Sequence, residues 1–76
     1  MKQCTVKVGM SVAYRSCFGS GSQSTAKIES IELCETEHEK DGIPVDSVDS
    51  DDLYRCCIGL DNDSWCYGSQ IDRIID

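Results

Sequence analysis

From Thr5 to Arg15 the chain reads TVKVGMSVAYR, and its apolar side chains fall on alternate positions. Val6, Val8, Met10, Val12 and Tyr14 share one parity, while Lys7, Ser11 and Arg15 take the other. A period of two marks a strand with one face in the core and one in water. No segment shows a sustained helical period, so the other elements are expected to be extended as well. Five strand segments follow: 5–16 with a kink at Gly9, 25–34, 43–48, 53–61 and 64–71. The third is expected to be short or irregular, because Pro44 removes a ladder donor. Within 25–34 the apolar parity changes from Ala26 and Ile28 to Ile31 and Leu33, which calls for a β-bulge or bend near Ser30. Helix is limited to a single turn near Asp49–Tyr54 or in the closing QIDRIID.

The stretch DNDS separates LYRCCIGL from WCYGSQI and is a hairpin signal. Asn62–Asp63 suits a two-residue type I′ loop, since both residues tolerate a positive φ. That loop sets Leu60 opposite Trp65, Gly59 opposite Cys66 and Ile58 opposite Tyr67, and opposed residues share a face. Trp65, the only tryptophan, then joins Tyr54, Cys56, Ile58, Leu60 and Tyr67 on the core side, and Cys57 meets Cys66 diagonally on the other. The expected core is Val8, Val12, Tyr14, Ile28, Ile58, Leu60 and Trp65. The alternative leaves Trp65 exposed as the anchor of a binding site.

Seventy-six residues make one domain, 1–76, with a thin core. The net charge is −7, unevenly spread. Residues 1–28 hold four basic residues and no acid, whereas 29–52 hold ten acids against Lys40 alone. Such a chain is repelled by phosphate backbones, so direct nucleic-acid binding is not expected. The acidic stretch reads as a solvated loop or as a face for a basic partner. No apolar run approaches the length of a membrane span. The first residues lack the apolar stretch of a secretory signal, so a cytoplasmic location is expected. Six cysteines without a C-x-x-C pair are then best read as reduced thiols, mostly buried. Disulfides are the alternative, with Cys57–Cys66 the pair to watch. Zinc is disfavoured by ligand spacing and by the isolation of His38.

The segments VKVGMSVAYRS, AKIESIEL and IGLDNDSWCYGSQIDRI together resemble the SH3-like small barrels of the KOW and Tudor type. More closely, they resemble short uncharacterised proteins of gut Bacteroidetes and their phages or mobile elements. The likeness rests on Gly9, Val12, Tyr14 and Arg15 at the start and on Trp65, Tyr67, Gly68, Gln70 and Ile71 at the end. It leaves 35–52 outside and departs at Asp63, where such hairpins usually place glycine. The resemblance implies an SH3-like barrel of about five antiparallel strands, with 35–52 as an acidic loop excursion. It also implies a groove between the first long loop and the late hairpin. That fold hosts several kinds of binder, so it names no function.

Catalytic motifs are missing: there is one histidine and no G-x-S-x-G, H-E-x-x-H or Walker loop. The expected function is therefore a non-enzymatic binding module, a protein-interaction domain of phage or mobile-element type, with no cofactor and no metal. Its candidate binding residues are Phe18, Arg15, Tyr67, Glu37, Asp46 and Asp49, and its expected partner is a protein of basic character. Two alternatives stand beside it. One is an inhibitor of a host nucleic-acid enzyme acting by acidic mimicry of DNA. The other is a small anionic ligand held at the Gly/Ser loop FGSGSQS, near Arg15 and Lys27.

Overall fold

The computed structural model describes residues 4–15 and 21–75. The first expected strand is two: β1 (Thr5–Lys7) and β2 (Ser11–Arg15). A turn divides them, in which the Met10 amide donates to the Lys7 carbonyl at 3.2 Å. Gly9, third in that turn, has a φ of 98°, the sign a type II turn requires there and one that L side chains resist. Val8, second in the turn, is thereby turned outward and is 42% exposed, so it leaves the expected core although Val6 and Val12 on the same parity are in it.

β3 (Gln23–Leu33) is the spine. Its first half pairs with β2 from Ser11↔Lys27 to Arg15↔Gln23. Its second half pairs with β4 (Ile43–Val45) and β6 (Cys56–Leu60). The β6 register shifts between Ile28 and Ser30, which accommodates the change of apolar parity in that strand. The 43–48 segment also divides, at Asp46, so that β4 stays on β3 while β5 (Ser47–Asp49) crosses to β1. A 3-10 helix, Ser50–Arg55, replaces the start of the fourth segment and carries Tyr54 outward rather than onto the core face. β7 (Trp65–Tyr67) falls within the last expected segment; a 3-10 turn at Gly68–Gln70 ends it, and β8 (Ile71–Ile74) follows in the closing stretch, where a strand was not expected.

Five expected segments thus become eight strands among the described residues. All pairs are antiparallel. The hydrogen-bonded path runs β7-β6-β3-β2-β8, with β4 also on β3 and β1-β5 as a separate ribbon. The path does not close on itself, so the architecture is an open antiparallel all-β fold. Its core gathers Val12, Tyr14, Ile28, Ile31, Ile58, Leu60 and Cys66, together with Val6 and Val48 from the ribbon. Val6 and Val48, directly opposite each other in the ribbon, both pack into this core and so tie the ribbon to the main sheet through side chains. No helix of the described residues is long and apolar enough to cross a membrane.

The β6–β7 hairpin departs from expectation by one residue, with large consequences. Its pairs are Cys57↔Tyr67, Ile58↔Cys66 and Gly59↔Trp65, and the Leu60 amide donates to the Ser64 carbonyl at 2.9 Å. The loop is therefore Asp61–Asn62–Asp63, three residues rather than two, with Asp63 at a φ of 64°. A left-handed third residue is the mark of a three-residue hairpin. A slip of one residue sends a strand's side chains to the opposite face. Cys66 is accordingly buried and Trp65 is 47% exposed, so Trp65 is not a core residue.

This register makes opposite predictions for two neighbouring residues of the hairpin. Leu60→Ala empties a site only 2% exposed and should cost about 2–5 kcal/mol. Trp65→Ala should cost no more than about 1 kcal/mol, the scale of an exposed contact. Urea unfolding of the two variants checks this; a larger loss for W65A would show the indole to be inside.

Candidate binding face around Trp65

The loop that sets the register is anchored to two other strands. Asp61 receives the Lys27 amide on its carboxylate at 3.1 Å and returns its own amide to the Lys27 carbonyl at 3.0 Å. Asn62 accepts the Ser64 amide on Oδ1 at 3.1 Å, an Asx-type bond that closes the turn, and donates from Nδ2 to the Tyr14 hydroxyl at 3.1 Å. The tip is thus held to β3 and β2, and Trp65 emerges from a fixed base. Gly59, its cross-strand partner, lies so close to Ser30 that a Cβ there would be 2.3 Å from the Ser30 hydroxyl. A side chain at this position would have to displace Ser30 on the face that carries Trp65.

Beside Trp65 on the same outward face stands Tyr67, their ring centroids 5.1 Å apart and the planes at 84°, an edge-to-face pair. Tyr67 is nevertheless only 9% exposed. The His38 ring lies 4.9 Å from it, brought there by the 34–42 loop. The same loop places the Lys40 ammonium 3.8 Å from the centroid of the Trp65 ring, a cation–π contact. Thr36 and Glu39 close a short turn within it, Glu39 Oε1 accepting from both the Thr36 amide at 2.8 Å and the Thr36 hydroxyl. His38 and Asp41, on either side of Lys40, have φ of 63° and 60°. Left-handed backbone costs a non-glycine residue about 1 kcal/mol or more, and the two ring contacts offset that cost.

The candidate residues fall in separate places. Glu37 and Tyr67 come together, for Glu37 Oε1 is 3.5 Å from His38 Nε2 and the His38 ring packs against Tyr67 at a 55° tilt. Asp46 lies on a groove of about 360 Å³ floored by Ile31 and flanked by Val8, Glu29 and Pro44. Asp49 ends β5, opposite Thr5. Arg15 is at the far end of β2, where its Nε meets Asp72 at 2.9 Å and its carbonyl accepts from Gln70 Nε2 at 2.8 Å. That ion pair is solvent-exposed and worth about 0–1 kcal/mol. Phe18, with Gly19 and Ser20 of the Gly/Ser loop, lies outside the described residues; of the rest, Gly21 accepts from Arg15 Nη1 on its carbonyl at 3.3 Å, and Gln23 and Ser24 open β3. Sequence reasoning missed His38 and Lys40. The one available signal was the single cation in an acidic run.

The five described cysteines are free thiols: Cys34, Cys56 and Cys66 buried, Cys57 partly buried and Cys4 exposed. Cys57 and Cys66 do not share a face. Cys57 is opposite Tyr67 on the outside, and Cys66 is opposite Ile58 on the inside. Burial raises the Cys57 thiol, Glu32 raises it further, and Lys40 acts in the opposite sense. Protonated thiols are poor nucleophiles. Among the described residues no group of three or more His, Cys, Asp or Glu side chains is placed to hold a metal ion. No protein-family model, curated protein or solved structure matches the chain.

The inward thiols give a pH prediction. Burial pushes Cys56 to about 11 and Cys66 to about 12 from an ordinary 9.0. Between pH 9 and those values the unfolded chain has lost these protons and the folded chain keeps them, so stability falls as pH rises. Below pH 9 their contribution is complete. The urea midpoint should decline above that point, and less steeply in Cys66→Ala. An unchanged slope in C66A would show that Cys66 titrates normally.

Proposed function

We propose that the protein is a non-enzymatic binding module of SH3-like character that takes a basic segment of a protein partner on the Trp65 face. The observation that carries this reading is a half-exposed indole with an ammonium group 3.8 Å from its centroid. A large aromatic residue on a rigid base, exposed and rimmed by charge, is the commonest kind of interaction anchor. The surrounding charge selects the partner. Glu35, Glu37, Glu39 and Asp41 belong to the loop that borders the ring, and Glu32 lies on the same sheet face, opposite Cys57. Carboxylates so placed attract lysine and arginine and repel nucleic-acid phosphates. The acidic stretch thus acts as the wall of the site.

Titrating the protein with a short lysine-rich peptide at low ionic strength tests this. Trp65 is the only tryptophan, so intrinsic fluorescence reports on the site itself. Binding should alter the emission, weaken as salt screens the loop carboxylates, and fall roughly fivefold or more in Trp65→Ala, as followed by calorimetry. Undiminished binding by W65A would move the site elsewhere, with the Asp46 groove the first place to look.

A further inference from the structure

We propose that Lys40 is an internal ligand of this face: its ammonium occupies the position on Trp65 that a lysine or arginine of the partner would take. The 34–42 loop must therefore release it before the partner can bind. The inference rests on the reading of the Trp65 face as a binding site and adds a competitor to it. Lys40 is the single cation within 29–52, among ten acids. Among the described residues it forms no ion pair and lies instead over the indole. A cation surrounded by carboxylates that settles on an aromatic ring identifies that ring as the preferred cation position of the surface.

The loop is built so that this occupancy can be reversed. His38 and Asp41 hold left-handed backbone on both sides of Lys40, a conformation that costs a non-glycine residue and persists only while its surroundings hold it. Lifting it also removes His38 from Tyr67, now only 9% exposed. The edge-to-face pair would then present two rings at 84° to an incoming cation in place of one. The fixed turn at Asp61–Asp63 lies outside the loop, so the aromatic base keeps its place when the loop moves.

Calorimetric titration of the lysine-rich peptide into wild type, Lys40→Ala, Lys40→Gln, Lys40→Arg and Lys27→Ala tests the competitor. Both neutral Lys40 variants should bind roughly three- to tenfold more tightly than wild type, the fold-change expected from removing a partly exposed cation–π contact. K40R should match wild type, because arginine can take the same place. K27A loses the same charge from β3 and should shift affinity less than about twofold. Equal tightening in K40A, K40Q and K27A would reduce the effect to net charge and overturn the inference, as would no tightening in K40A and K40Q. Either result would leave binding at Trp65 standing. Absence of binding by all five proteins would instead remove the binding-face reading and the competitor with it.

Discussion

The length of one turn decides which side of this protein is inside. Asp61, Asn62 and Asp63 form a three-residue loop with the last residue left-handed, and side chains on β7 are assigned to a face by that count alone. The loop is not free to choose. Asp61 is bonded to Lys27 of β3 and Asn62 to Tyr14 of β2, so changing the count would break contacts to two other strands. Packing argues the same way. The inward face of the hairpin carries Cys56, Ile58, Leu60 and Cys66, a set of moderate and small side chains. An indole in place of the Cys66 thiol would overfill so thin a core.

With the register set, the outer face becomes a consequence of the chain's own crowding. β3 pairs on both edges, with β6 along one stretch and with β4 and β2 along others. The connection from β3 to β4, residues 34–42, reaches across to the hairpin on this face. Its acids are kept in water. Two of its non-acidic side chains, His38 and Lys40, lie on the two rings, the buried Tyr67 and the exposed Trp65. A loop that composition alone presents as a solvated run of carboxylates is thus docked by its few non-acidic side chains, and the carboxylates are carried to the rim of an aromatic surface.

Extended structure was legible because alternation is a local property of neighbouring residues. Val12, Tyr14, Ile28, Ile58 and Leu60 lie in the core where parity put them. The bulge near Ser30 was legible too, since the apolar positions of β3 change parity within the strand itself. Val8 was lost because a turn at Gly9 interrupts the parity that runs through it. Trp65 was lost for a subtler reason. Asn and Asp accept left-handed backbone in two-residue and three-residue loops alike, and the choice between them is made by hydrogen bonds to Lys27 and Tyr14, distant in sequence. The cation on the indole was illegible for the same reason, as a contact between residues twenty-five apart whose meeting depends on the whole sheet.

The binding face exists only if the hairpin has this register, and the backbone itself can be asked. Leu60 and Ser64 are a hydrogen-bonded pair, so by alternation the next pair, Gly59 and Trp65, is a non-hydrogen-bonded one, in which the α-protons of opposed residues approach most closely. The decisive measurement is a nuclear Overhauser experiment on the α-protons of the hairpin. A strong cross-peak between Gly59 and Trp65 is the predicted result. A strong cross-peak between Leu60 and Trp65 would mean a two-residue loop, an indole turned inward and no aromatic face for Lys40 or for any partner.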